Sequence, residues 1–146
     1  MTLEGDLFTS RAQTLVNAVN CVGVMGKGIA LQFKKRYPAM FEDYAARCRR
    51  NEVRLGEPYL FRDPCGTMII NFPTKDHWRS FSRLKDIDEG LEYFVKHAAD
   101  WGVTSVAFSP LGCGNGGLVW SDVEPVMRRA LSELPIEIEI YAPYTQ

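Results

Sequence analysis

No run of this sequence is long and apolar enough to cross a bilayer, and its first ten residues, MTLEGDLFTS, lack the apolar stretch of an export signal. A cytoplasmic protein with no membrane partner is the expectation. Cysteine is scarce and irregularly placed: Cys21, Cys48, Cys65 and Cys113 form no Cys-x-x-Cys pair, and only His77 and His97 are there to complete a metal set. No metal site is expected, and the four thiols are expected to be reduced. Charge of one sign is missing too. With 17 Lys and Arg against 18 Asp and Glu the net charge is -1, which argues against a protein that grips nucleic acid chiefly by neutralising phosphates, although a local basic patch is still allowed. Internal repeats, low-complexity tracts and linkers are absent. Hydrophobic residues at 46% and charged residues at 24% exclude disorder, collagen and coiled coil. A single domain over residues 1–146 is expected, since a chain of this length buries about two thirds of its unfolded surface and is too short for two ordinary domains.

What is present alternates. After a strand-like start at residues 1–4, TLVNAVN reads as a buried strand whose Leu15, Val16, Ala18 and Val19 are interrupted by Asn17 and closed by Asn20. GIALQFKKRYP and PAMFEDYAARCRRNE predict two helices broken at Pro38. EPYLFRD and TMIINFP predict strands joined into a hairpin by the turn Asp63-Pro64-Cys65-Gly66. Ile87, Leu91, Phe94, Val95 and Ala98 recur at helical spacing, with Gly102 ending the helix. SVAFSP predicts another buried strand. Ser121 and Glu124 have capping-box spacing, which would open a helix running to Glu133 with Pro125 in its first turn. The last strand, IEIEIYA, alternates acidic and apolar residues, as expected of a wet face or a place near a sheet edge. Strands alternating with helices define an α/β sandwich with a mixed sheet.

Glycine is concentrated in two loops. NCVGVMGKGIALQF and PLGCGNGGLVW each follow a predicted strand and precede a predicted helix, the place where ligands of open α/β sheets bind. Two such loops can close on a diphosphate from both sides, using backbone N–H groups and helix N-termini rather than net charge. Tight turns without a ligand are the alternative. Neither loop has the Gly-x-Gly-x-x-Gly dinucleotide spacing, and Lys27 precedes Gly28 rather than Ser or Thr, which excludes a Walker loop. Asn17, inside an apolar strand, is either satisfied by a neighbouring loop or aimed at a ligand, because an unmatched amide costs about 1–3 kcal/mol. Cys21 and Cys113 have no histidine beside them in sequence and read as small packing residues. Lys27, Lys34, Lys35 and Arg36 read as a solvated helix face, and His97 as a helix-surface residue. In TKDHWRS an aromatic stands beside a cation, either to stack a nucleobase or as a Trp packed over its loop.

EGDLF, LVNAVN, GVMGKGIALQF, NFPTK and PLGCGNGGLVW, in that order over nearly the entire chain, resemble the macrodomains, a family of ADP-ribose-binding modules. NFPTK with GKGIALQFKK is similar, more narrowly, to the branch holding glycohydrolases of glutamate-linked ADP-ribose and antitoxins that clear ADP-ribose from thymidine in DNA. GCGNGGLVW resembles the antitoxin side. The resemblance implies an α/β/α sandwich with a mixed six-stranded sheet and ADP-ribose across its top. By position it implies that Asp6 accepts from the adenine amino group while Leu7 contacts the ring. Asn17 and Asn20 would lie near the distal ribose. Gly23, Val24, Met25, Gly26, Lys27 and Gly28 would wrap the distal ribose and diphosphate, and Gly112, Cys113, Gly114, Asn115, Gly116, Gly117 and Leu118 would close over the diphosphate. Thr74 is expected to touch the ligand beside Lys75, which corresponds to the catalytic lysine. Gly116 stands where the glutamate-specific relatives carry an acid that assists their lysine, so attack by Lys75 on the sugar carbon lacks that help.

The expected reaction replaces thymine by water at the anomeric carbon of the distal ribose, with Lys75 stabilising charge on the departing base or donating a proton to it, and Asn17 orienting the ribose or the water. Three alternatives stay open: a reader that only binds ADP-ribose, a hydrolase of ADP-ribosylated protein, and an ADP-ribose phosphatase. No metal or organic cofactor is implied. The expected partners are ADP-ribose, ADP-ribosylated single-stranded DNA and a cognate DNA ADP-ribosyltransferase toxin. The chain itself is expected to be a monomer, with a toxin-binding domain following the last strand in the natural protein.

Overall fold

The computed structural model describes residues 2–143. Strands β1 (Thr2–Leu3), β2 (Thr14–Val19), β3 (Tyr59–Arg62), β4 (Met68–Pro73), β5 (Ser105–Phe108) and β6 (Glu137–Tyr141) form one sheet in the order β1-β6-β5-β2-β4-β3. Only β3 runs antiparallel to its neighbour, β4; the other pairs are parallel. Helices α1 (Gly28–Arg36), α2 (Pro38–Arg49), α3 (Leu84–His97) and α4 (Trp120–Leu131) complete the fold, which is the expected α/β arrangement around a mixed six-stranded sheet.

Strand alternation sends side chains to two faces. Val16, Ile70, Phe72, Val106 and Phe108 pack on one face with Ile87, Leu91 and Phe94 of α3 and Val123 and Met127 of α4. Leu15, Val19, Ile69 and Ala107 pack on the other with Phe33 of α1 and Met40 and Tyr44 of α2. Strands β2 and β4 are covered on both sides, which is why their sequences are nearly unbroken apolar runs. In β6, Ile138 and Ile140 face α3 and α4, whereas Glu139 on the opposite face accepts from Ser10 Oγ at 2.6 Å. The strand lies one place from the sheet edge, beside the two-residue β1.

Local chemistry explains several boundaries. Gly66 N–H donates to the Asp63 carbonyl at 2.9 Å and Cys65 N–H to the Asp63 carboxylate at 3.0 Å, closing the β3–β4 hairpin where the turn residues predict it. Pro38 opens α2 in its first turn, where a missing N–H costs nothing. The capping box, however, does not form. α4 begins at Trp120 with Val119 as its N-cap and no side-chain cap, and Glu124 instead accepts from Thr2 in the edge strand and from Arg128 at 3.3 Å. Pairing of Leu118 with Cys113 and its packing on the core fix the chain just ahead of the helix, so α4 starts before Ser121 can cap it. Pro125 therefore falls inside the helix rather than in its first turn.

α3 lies close over the sheet because Gly90 has no side chain. A Cβ there would be 2.4 Å from Phe72 Cζ and 2.6 Å from Cε1, and Phe72 is fully buried. Alanine would gain about 0.5–1 kcal/mol of helix propensity, less than the about 1–3 kcal/mol that overpacking costs. Gly90→Ala is expected to lower stability by about 1–2 kcal/mol in urea unfolding, and a stability gain would show that Phe72 yields without strain.

Candidate functional site

Strands β2, β4, β5 and β6 end on one side of the sheet, and a groove of about 820 Å³ opens there. Its walls include Ala18, Val19 and Asn20 after β2, Thr74 and Lys75 after β4, Ser109 and Pro110 after β5, and residues 141–143 at the end of β6. Asn20, Thr74 and Ser109, each following an apolar strand, are buried. Ser109 Oγ, buried behind the groove wall, has no partner among the described residues. Sequence reasoning passed over Ser109, although a polar residue closing an apolar strand is the same signal that drew attention to Asn20.

The first glycine loop is built on Asn20. Its Oδ1 accepts from Val22 N–H at 3.0 Å and lies 3.4 Å from Val24 N, while its Nδ2 donates to the Val24 carbonyl at 2.8 Å. The buried Tyr44 hydroxyl lies 2.7 Å from Asn20 Oδ1 and 2.8 Å from its carbonyl, and its one hydrogen serves both. Asn20 is thus the turn former of this loop as well as part of the groove wall. Beyond it Val24, Gly26, Lys27 and Gly28 line the groove. Lys27 is the N-cap of α1 with no side-chain cap, and Ile29 and Ala30 also line the groove. The first turn of α1 thus meets the groove without a side-chain cap, and helix N-termini favour anions.

The second loop approaches from across the groove, with Gly112, Cys113, Gly114, Asn115 and Gly116 on its wall. A Cβ on Gly28 would lie 3.3 Å from Asn115 Nδ2, so the two loops meet. Ser82 N–H donates to the Gly116 carbonyl at 2.8 Å, and a Cβ on Gly116 would stand 2.5 Å from Ser82 Oγ and 3.2 Å from its Cβ. An acidic side chain at position 116 has no room unless Ser82 moves. Lys75 links the same elements: its Nζ donates to the carbonyls of Trp78 and Asn115, both at 3.1 Å. Among the described residues no carboxylate pairs with it. Burial, and then the neighbouring charge of Lys27, push the Lys75 ammonium below the ordinary lysine range.

At the far end Gly5, Asp6, Leu7, Phe8 and Gln32 line the groove. One oxygen of Asp6 accepts from Phe8 N–H at 2.9 Å and caps the short 3-10 turn Leu7–Thr9. Five of the expected residues do not line the groove. Asn17 is fully buried and does not line the groove: alternation points it toward the α1–α2 layer, where its Nδ2 donates to Asn71 Oδ1 at 3.1 Å and lies 3.7 Å from Met25 Sδ. Met25 is buried above it rather than exposed to the groove. Gly23 turns toward Ala45 and Cys48 of α2, Gly117 lies against Phe81, and Leu118 packs into the core. Asn17 is thus half satisfied, by Asn71 of β4 with Met25 of the first loop nearby, while its Oδ1 has no partner among the described residues.

These features define a macrodomain, and the chain belongs to the Macro domain family, whose model matches residues 16–127. It is similar to the macrodomain of Mycobacterium tuberculosis DarG, at 48% identity and a TM-score of 0.94 over 99% of each chain. It is also 50% identical to the M. tuberculosis DNA ADP-ribosyl glycohydrolase over 96% of this chain and 41% of that protein. A Thermosipho africanus DNA ADP-ribosyl transferase–DNA ADP-ribosyl glycohydrolase fusion protein is 39% identical over 97% of this chain and 41% of its own length. A structure of T. africanus DarTG in complex with ADP-ribose, 40% identical, superposes with a TM-score of 0.92, covering 97% of this chain and 41% of that one. The chain thus spans about two fifths of the length of these curated relatives.

Among the described residues no group of three His, Cys, Asp or Glu side chains is placed to hold a metal ion, and no helix is long and apolar enough to cross a membrane. The four cysteines are free. Burial pushes the Cys113 thiol up to about 11, and burial with the nearby charge of Asp76 pushes Cys21 up to about 12. At pH 8 either thiol is ionised in roughly one molecule in a thousand or fewer. Alkylation at that pH is expected to modify the exposed Cys65 and spare Cys21 and Cys113, as read by peptide mass spectrometry. Labelling of Cys113 as fast as Cys65 would instead reveal an activated thiol in the second loop.

Proposed function

We propose that this chain is a DNA ADP-ribosyl glycohydrolase, releasing ADP-ribose from thymidine in single-stranded DNA, and that it answers a cognate DNA ADP-ribosyltransferase toxin. The observation that carries the reading is Lys75, a partly desolvated ammonium at the wall of a two-loop groove, held by two carbonyls and by no carboxylate. The names of the mycobacterial and Thermosipho relatives support the substrate, and the fusion of transferase with glycohydrolase in the latter supports the partner. ADP-ribose lies along the groove with adenine near Asp6 and Leu7, the diphosphate between the glycine loops, and the distal ribose toward Lys75.

An ammonium has three hydrogens, and two of those on Lys75 are engaged. The third is available to the base that leaves. As the bond from the anomeric carbon to the thymine nitrogen breaks, its electron pair goes to the base and positive charge develops on the sugar. Lys75 stabilises the thymine anion or gives it a proton. Water adds its oxygen to the anomeric carbon, and the proton it sheds replaces the one Lys75 gave up or, where the lysine kept its own, goes to the thymine nitrogen, giving ADP-ribose and restored DNA. Asn17 acts at one remove, beneath Met25.

Lys75→Ala is expected to cut ADP-ribose release from ADP-ribosylated oligonucleotide by about 10²-fold or more while free ADP-ribose binds within severalfold of wild type by calorimetry. Unchanged turnover, or a preference for glutamate-modified protein offered in parallel, overturns the reading. The pH profile distinguishes acid from nucleophile. A group that works as the ammonium loses activity as pH rises through its depressed pKa, and removing the charge of Lys27 raises that pKa. Lys27→Gln is therefore expected to move the alkaline limb of kcat to higher pH; a limb that rises with pH would assign Lys75 to attack as the free amine.

A further inference from the structure

The loop from residue 76 to residue 83, between β4 and α3, holds two aromatic side chains out in water. Trp78 is 43% exposed and Phe81 is 81% exposed. The loop beneath them is firmly tied. Cys21 N–H donates to the Asp76 carbonyl at 3.0 Å, Lys75 Nζ to the Trp78 carbonyl at 3.1 Å, and Ser82 N–H to the Gly116 carbonyl at 2.8 Å. Ser80 N–H donates to the His77 carbonyl at 2.9 Å and Arg79 N–H to its Nδ1 at 3.1 Å. Phe81 has a seat on the second glycine loop: a Cβ at Gly117 would lie 2.7 Å from Phe81 Cδ1, and Gly117 has the left-handed φ of +81°. The ring is thus held against a residue without a side chain while most of its surface faces solvent.

Charge surrounds these rings. The Arg79 guanidinium lies 4.5 Å over Trp78, Lys27 and Lys75 stand at the groove that Trp78 also lines, and Arg83 follows Phe81 with Asp86 as its ion-pair partner. Four cations, Lys27, Lys75, Arg79 and Arg83, stand with three carboxylates, Asp76, Asp86 and Glu89, on a chain whose total charge is -1. A polymer whose modified base sits at Lys75 leaves the groove next to this loop. Spaced aromatics interleaved with cations match a strand with unpaired bases and phosphates, since bases within a duplex are stacked on one another and unavailable.

We propose that Phe81 and Trp78 form a stacking platform for the bases flanking the modified nucleotide, with Arg79 and Arg83 taking the backbone phosphates. This assigns a second subsite, for single-stranded DNA rather than for ADP-ribose, and it rests on the glycohydrolase reading above. Because Phe81 lies outside the groove that Trp78 borders, its side of the platform lowers KM for a strand and leaves the chemical step alone.

The test compares two substrates, ADP-ribosyl-thymidine as a mononucleotide and the same unit inside a nine-residue single-stranded oligonucleotide. Phe81→Ala is expected to raise KM for the oligonucleotide about tenfold, within the range of base–aromatic stacking, with kcat unchanged. The mononucleotide should keep both constants within twofold, and Phe81→Tyr should restore the oligonucleotide KM. Equal losses on both substrates would make Phe81 a support for the loop, and no loss on either would leave the ring idle; both results overturn the platform. Binding of the labelled oligonucleotide by Lys75→Ala, with and without Phe81→Ala, reads the platform by anisotropy even if wild type cleaves neither substrate. About tenfold weaker binding of the double variant is expected, and equal affinity overturns the proposal independently of the catalytic reading.

Discussion

One side-chain amide fixes the loop on which the groove depends. Asn20 closes β2, draws in the amides of Val22 and Val24 with its oxygen, and holds the Val24 carbonyl with its nitrogen. Tyr44, wholly buried in α2, supports the arrangement with its hydroxyl. Each of these groups would cost about 1–3 kcal/mol if buried without a partner, so alternative courses of the loop are disfavoured together. The course that results carries Gly26 and Lys27 to the start of α1 and leaves that helix without a side-chain cap facing the groove. The uncapped helix end thus owes its place to an uncharged residue.

The same economy governs charge. A net charge of -1 suits a site that relies on oriented amides, and it lets the few cations near the groove act locally. Lys75 stands with carbonyl acceptors and near Lys27, and both burial and that neighbour favour loss of its proton. An acid held in this way parts with its proton more readily than a solvated lysine. The absence of a side chain at Gly116, where Ser82 occupies the space, keeps the second loop close to Lys75 and keeps a carboxylate out of that position.

Much of this was legible in the residues. The Asp63–Gly66 turn, the Pro38 break and the two glycine loops at strand ends follow from local chemistry, and all lie where the sequence puts them. Asn17 was harder. Period-two alternation places it on a face but does not say which layer covers that face, and its partner Asn71 lies 54 positions along the chain. Phe8 and Gln32 reach the groove only because the chain folds back over α1, which no local pattern encodes. The start of α4 misled for the opposite reason: a good local signal at Ser121 and Glu124 yields to the tertiary packing of Leu118. The expected ADP-ribose contacts rest on family resemblance rather than on residue chemistry, and positional transfer carries no side-chain detail: Met25 is buried and Leu118 half-buried against the core.

The groove is lined from Gly5 at one end of the chain to Pro143 at the other, with strands β2, β4, β5 and β6 all contributing. No fragment of the sequence contains it. Loop-closure entropy is spent across the whole sheet before any ligand contact exists, and a predominantly parallel sheet of non-local pairings assembles slowly compared with a helical bundle. A ligand that needs both glycine loops consequently binds the native state and not a partly folded one. Occupancy then stabilises the entire domain by RT ln(1 + [L]/Kd), so the concentration of free ligand in the cell also sets how long this fold survives proteolysis.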